Sequence, residues 1–197
     1  MHEYVDKRVQ RSKIALKETL LKLLKDKDFH HITISEIVKN ANYNRGTFYS
    51  HYASKEELLD EIIQDTLEEL MQHIRKPYAN HDKVNMREIN AEDISLFHYI
   101  MKNEELFYIL LSENIHLDFR YKLAKQIEKL FLAEYQYEFS EETKLKQKWL
   151  YVYRAHGVAA VILRWIEDGF QESPVYMAEQ IIALMITGTD IFYVKEL

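Results

Sequence analysis

A chain of 197 residues with 47% hydrophobic content is long enough for two small domains, or one medium one, around a packed core. Four Gly and two Pro are too few for an all-β fold with many tight turns or for a glycine-rich nucleotide loop, and the lack of Cys excludes disulfides, thiol catalysis and cysteine-ligated zinc. The net charge of -6 is unevenly spread: residues 1–55 hold 11 Lys and Arg against 6 Asp and Glu, so a small basic module precedes an acidic body.

In chain order, residues 7–25 set Leu16, Leu20, Leu23 and Leu24 at the spacing of a helix with one buried face and leave Arg8, Arg11, Lys13, Lys17 and Lys22 on a basic one. Thr33-Ile34-Ser35-Glu36 is a capping box that opens a short second helix burying Ile34, Ile37, Val38 and Ala41. Asn42 can take the left-handed backbone that closes it, and Asn44 then caps a third helix, residues 44–52, with Phe48 and Tyr52 turned inward. A second capping box, Ser54-Lys55-Glu56-Glu57, opens a long helix that buries Leu59, Ile62, Ile63, Thr66 and Leu70.

Residues 76–90 lack periodicity and read as a connection. Residues 91–102, 104–112, 117–137 and 141–168 then read as helices, the last opened by Ser140 and closed by Gly169. Ser173-Pro174 begins a final helix that reaches Phe192. Nine helices without a convincing strand make the fold class all-α. The expected division is a helix-turn-helix domain at 1–53, a connecting helix at 54–76 and a helical bundle at 77–197, to which the resemblance described below assigns ligand binding and dimerisation.

Two short helices joined by a tight turn and braced by a first helix match the arrangement that lays its second short helix in the DNA major groove. Arg45 stands at the start of that helix, where a guanidinium can fork onto the O6 and N7 edge of guanine. Thr47 can meet a thymine methyl or a phosphate, and Tyr49, Ser50 and His51 complete the outward face. Gly46 permits close approach to the bases, at about 1 kcal/mol of helix propensity relative to Ala. Thr33 and Ser35 at the start of the preceding helix, and Lys55 in the first turn of the fourth, are placed for phosphate. With the capping Asn44, these residues are the candidate DNA contacts, and double-stranded DNA is the expected partner.

The run Ile32 to Ala41, then Asn44-Arg45-Gly46-Thr47-Phe48-Tyr49-Ser50-His51-Tyr52 and Ser54-Lys55-Glu56-Glu57-Leu58-Leu59, resembles the DNA-binding signature of the TetR family of bacterial transcriptional regulators. Asn42 stands where many members have Gly. The later segments Phe97-His98-Tyr99-Ile100, Leu110-Leu111-Ser112-Glu113-Asn114, Arg164-Trp165-Ile166 and Glu172-Ser173-Pro174 resemble a C-terminal domain of Firmicutes members, including regulators of the dihydroxyacetone kinase activator kind. The resemblance implies a homodimer on a palindromic operator. It also implies that the last two helices pair with their symmetry mates and that an unknown small-molecule effector is held in the second domain.

Two half-sites on one DNA face call for a two-fold dimer. Ala155, Gly157, Ala159 and Ala160 allow close helix approach, and Met177, Ile181, Leu184, Met185, Gly188 and Phe192 supply an apolar surface for it. Phe97, Tyr108, Tyr121, Tyr153, His156 and Trp165 are the candidate ligand-binding residues. His98, His116 and His156 lack paired metal-ligand spacing, so no metal site and no cofactor is expected. The motifs of hydrolases, zinc proteases and nucleotide-binding enzymes are missing, which argues against an enzyme. No uncharged apolar stretch approaches the roughly 20 residues that cross a bilayer, so the expected location is the cytoplasm, with no membrane partner. The expectation is a ligand-responsive repressor. The alternative keeps the fold but acts as a coactivator or adaptor through a protein partner.

Overall fold

The computed structural model describes residues 7–79, 81–115, 119–137 and 144–187. Nine α-helices and no strand occur among them: α1 (Lys7–Leu24), α2 (Ile34–Asn40), α3 (Arg45–Tyr49), α4 (Lys55–Arg75), α5 (Leu96–Lys102), α6 (Glu104–Leu111), α7 (Phe119–Glu134), α8 (Gln147–Glu167) and α9 (Pro174–Ile186). Single 3₁₀ turns lie at Phe29–His31, Lys76–Tyr78 and Ala91–Asp93.

Side chains cap four of the helix starts. Thr33 Oγ1 accepts from the Glu36 amide at 3.2 Å, Asn44 Oδ1 from the Thr47 amide at 2.8 Å, Ser54 Oγ from the Glu57 amide at 3.3 Å and Ser173 Oγ from the Tyr176 amide at 3.2 Å. The two Glu residues complete their boxes differently. The Glu57 carboxylate accepts from the Ala53 amide, whereas Glu36 is held below the usual carboxylate range first by the Lys27 ammonium and then by the Thr33 amide, against the effect of burial. Left-handed backbone ends two helices: Asn42 has φ 58° after α2, and Gly169 has φ 78° after α8. At the second end, Gly169 N–H donates to Ile166 and Phe170 N–H to Trp165, while the Phe170 ring packs edge-on at 4.9 Å from Trp165. This double closure with its apolar clasp is a Schellman motif.

Several helices are shorter than their apolar spacing suggests. The third ends at Tyr49 rather than Tyr52, although Tyr52 N–H still reaches the Phe48 carbonyl. The expected helix at 91–102 is broken: Asn90 caps the short 3₁₀ turn, Ile94 has ψ 92°, and α5 begins only at Leu96. The seventh stops at Glu134, and the Tyr135 carbonyl just beyond it accepts from the Tyr151 hydroxyl; Leu117, its expected first residue, lies outside the described residues. Helix α8 starts at Gln147, not Glu141, with Lys146 before it in extended backbone, φ -81° and ψ 132°. The expected cap Ser140 and residue Glu141 lie outside the described residues. The last helix ends at Ile186 with Thr187 extended, and Gly188 and Phe192 are likewise outside the described residues.

The chain divides into two compact units. One combines residues up to Glu69 with Asn103–Leu123, the other Leu70–Lys102 with residues from Ala124 onward. The core of the first is built on Leu16, Leu20 and Leu24 of α1, Ile37 and Val38 of α2, Phe48, Tyr52, and Leu58, Leu59 and Ile63 of α4, all buried. Helix α6 packs on α1, and Phe107 and Phe119 meet at 6.4 Å. Asn114, just beyond α6, fastens this segment at two points: its side-chain amide donates to the Leu24 carbonyl at 3.0 Å, and its own carbonyl accepts from the Phe29 amide at 2.9 Å. In the second unit, α9 packs on α5 and on the turn at Ala91–Asp93. Phe97 and Trp165 are both buried there, edge to face at 5.3 Å.

Asn114→Ala leaves the carbonyl contact and removes the amide bond to the end of α1. The expected loss is about 1 kcal/mol of stability in urea unfolding with an unchanged slope, the usual net worth of one hydrogen bond.

Candidate nucleic-acid interface

Helix α3 has five residues, too few to stand alone, and its geometry is imposed from outside. Phe48 anchors it in the core with Tyr52 behind, ring centroids 5.7 Å apart, and the Asn44 carboxamide closes its start. With Phe48 inward, Arg45, Gly46, Tyr49 and Ser50 are exposed and Thr47 is half-buried. Tyr49 is 51% exposed, although it is a large aromatic residue. Arg45 Nη2 donates to the Tyr49 hydroxyl at 3.4 Å, and the guanidinium lies 5.9 Å from that ring's centre. Ser50 Oγ donates back to the Thr47 carbonyl at 2.8 Å.

Gly46 has a local role besides leaving the helix surface clear. A Cβ there would stand 3.1 Å from Asn44 Oδ1, crowding the oxygen that caps the helix. Thr33 and Ser35 are both exposed at the start of α2, while Thr33 Oγ1 is engaged as its cap.

Two of the ten candidates are placed otherwise than the sequence suggests. His51 is half-buried, its Nε2 2.7 Å from Ser12 Oγ on α1. The Ser12 hydroxyl has one hydrogen and also lies 2.9 Å from the Val9 carbonyl and 3.1 Å from that of Arg8, and the imidazole tautomer sets which partner donates in the His51 contact. The imidazole thus ties the end of the α3 turn to α1. Lys55 is in the first turn of α4 as expected, where its ammonium is engaged by backbone carbonyls. It donates to the carbonyls of Phe29 at 2.6 Å, Ile32 at 2.8 Å and His30 at 3.2 Å, and lies 4.5 Å from the centre of the Phe29 ring. Three N–H groups meet three carbonyls, and the charge serves to close the turn before α2.

The basic face of α1 is likewise partly spent. Lys13 and Lys17 both bond Glu61 of α4, at 2.9 and 2.6 Å, and Lys17 also bonds Asp65 at 2.5 Å. Burial alone would raise the Glu61 pKa, but the two ammonium groups outweigh it and hold the carboxyl below its usual range. Burial likewise opposes the charge on Lys17, and its two carboxylate partners overcome that and raise its pKa. Sequence reasoning missed Lys39, an exposed cation in the last turn of α2 one residue before the turn leading to α3.

The ligand candidates of the second unit differ in their surroundings. Phe97 and Trp165 are core residues, and the Trp165 indole N–H is satisfied by the Glu172 carbonyl at 3.1 Å. Tyr153 is 78% exposed, and His156 bonds Glu128 at 3.1 Å. Tyr108 and Tyr121 belong to the other unit and are largely exposed. Aromatic spacing on a helix does not distinguish a wall from a surface. His98 is exposed and His116 lies outside the described residues; among the described residues, no group of three metal-binding side chains comes together. No helix among them is long and apolar enough to cross a membrane.

Replacing Lys55 by Met keeps the stem and orphans three carbonyls. The expected cost is about 1–3 kcal/mol, read as a lowered midpoint in thermal unfolding.

Comparison with known proteins agrees with this geometry. Residues 18–62 match the family model described as bacterial regulatory proteins, tetR family, and residues 94–187 match one described as transcriptional regulator C-terminal region, so that together they span well over half of the chain. An uncharacterized HTH-type transcriptional regulator of Bacillus subtilis, YxbF, is 45% identical over 71 residues, 36% of this chain but only 19% of that protein. DhaS of Lactococcus lactis, an HTH-type dhaKLM operon transcriptional activator, is 26% identical over 174 residues, 86% of both chains. Among solved structures, a TetR transcriptional regulator of Streptococcus agalactiae has a TM-score of 0.58 at 21% identity, covering 91% of this chain and 96% of its own, a likeness of fold.

Proposed function

The chain belongs to the tetR family of bacterial transcriptional regulators, and we propose that it acts as a homodimeric repressor that binds a palindromic operator in double-stranded DNA and is released by a small-molecule effector. The observation that carries the DNA-binding part is the α3 face: a capped, core-anchored helix whose exposed residues are Arg45, Gly46, Tyr49 and Ser50, with Thr47 beside them. In this reading Arg45 forks onto a guanine edge, Thr47 meets the groove with Tyr49 beside Arg45, and Thr33, Ser35 and Ser50 approach the backbone. Asn44 and Gly46 shape the helix start, and His51 braces it through Ser12. Lys55 is left out of the contact set because its ammonium closes the preceding turn.

The dimer is proposed through α8 and α9. Ala155 and Ala159 are buried within the subunit, but Gly157 and Ala160 are exposed, and a Cβ at Gly157 would meet nothing within 4 Å. Tyr176 and Leu184 add exposed apolar surface on α9, Leu184 at 61%. An effector that favours one spacing of two DNA-reading heads shifts operator affinity by the difference in its own affinity for the two arrangements. The second reading is activation, favoured by the name of the relative that matches most of the chain. A reporter behind the bound operator separates the two, since deleting the regulator raises expression under repression and lowers it under activation.

Selection from a genomic fragment library, followed by fluorescence anisotropy, is expected to enrich a palindrome. Arg45→Ala should then cost about 1–3 kcal/mol and relax the base preference at one position of each half-site. A protein that enriches no sequence would favour an adaptor acting through a protein partner. Ala160→Arg is expected to yield a folded monomer in sedimentation equilibrium, with operator affinity lost and the helical circular dichroism signal retained.

A further inference from the structure

The contact between Arg45 and Tyr49 stands out on the α3 face. The two residues are four apart and one turn along the same exposed stripe. Arg45 Nη2 lies 3.4 Å from the Tyr49 hydroxyl, and the guanidinium is 5.9 Å from the ring centre, within reach of a cation–π attraction. Tyr49 in turn rests on the core, since the Phe48 ring meets it edge-on, centroids 5.7 Å apart and planes at 87°, and Phe48 is fully buried. A chain of contacts therefore runs from the core through Phe48 and Tyr49 to the end of the arginine.

We propose that Tyr49 is a positioning residue for Arg45: its hydroxyl and ring hold the guanidinium as a preformed fork, so discrimination at one base pair depends on a side chain that does not itself read that base. The inference rests on the reading of α3 as the DNA-contacting helix. An exposed arginine samples many rotamers, and a bidentate contact to guanine needs both its N–H groups in one plane at one place. One Nη2 hydrogen engages the tyrosine; the other hydrogens of the fork remain for O6 and N7. The arrangement restricts the side chain before DNA arrives, which lowers the ordering cost of the contact. Because Tyr49 carries no charge, its removal leaves the number of neutralised phosphates unchanged.

The test is a double-mutant cycle on the full chain: wild type, Arg45→Ala, Tyr49→Phe and the double variant, with Tyr49→Leu to remove the ring as well. Binding is measured by anisotropy on the selected operator and on duplexes carrying each of the four base pairs at the position that Arg45→Ala relaxes. Tyr49→Phe is expected to lower the preference for the favoured base pair about two- to fivefold, the size of an exposed cation–π or neutral hydrogen-bond contribution, and Tyr49→Leu to lower it at least as much. In the Arg45→Ala background neither change should alter preference further, and the dependence of affinity on salt should stay that of the wild type. Equal losses with and without Arg45 would overturn the proposal and make Tyr49 an independent contact. An unchanged preference in both Tyr49 variants would overturn it too. If Arg45→Ala itself bound every duplex as the wild type does, the assignment of α3 to DNA would fail, an outcome distinct from failure of the coupling.

Discussion

Helices of seven and five residues do not persist in water on their own, and the face proposed to meet DNA is built from two of them. Everything around α2 and α3 supplies the order that their length denies them. Thr33 and Asn44 satisfy amides at their starts, and Asn42 takes the left-handed turn between them. Ile37, Val38 and Phe48 pin both to a core supplied largely by α1 and α4. The Lys55 ammonium closes the approach to α2, and the His51 bond to Ser12 closes the exit from α3. Remove any of these and the exposed side chains remain, but not their common direction.

Charge serves the same end. A basic α1 beside a DNA-reading helix suggests a broad stripe for phosphate, yet Lys13 and Lys17 are paired with Glu61 and Asp65, and Lys27 is paired with Glu36. Much of the positive charge in the first 55 residues is thus used to fasten α1 to α4 and the turn to α2. What remains outward includes Lys7, Arg8, Arg11 and Lys22 along α1, with Lys39 and Arg45 on α2 and α3.

What the sequence discloses here is local. The capping residues Thr33, Asn44, Ser54 and Ser173, the left-handed Asn42 and the closing Gly169 were legible because each acts within four residues of itself. The inward Phe48 and Tyr52 followed from helical spacing. The fate of Lys55 was not legible, because the carbonyls it meets are 23 to 26 residues away and become neighbours only in the fold. The partners of Lys13 and His51 are 48 and 39 residues distant. Aromatic residues of the second half were misjudged for a related reason. Phe97 and Tyr153 look alike on a helical wheel, and only the packing of α5 and α8 decides that one is buried and the other faces water.

The double hold of Asn114 has a consequence for how the protein is made. The end of α1 and the start of the following turn are secured by a residue 90 positions later, and α6 belongs to the same compact unit as the helices that read DNA. A nascent chain that has exposed only its first 69 residues lacks α6 and both Asn114 hydrogen bonds, so the contacts that complete this unit are of the long-range kind that close late.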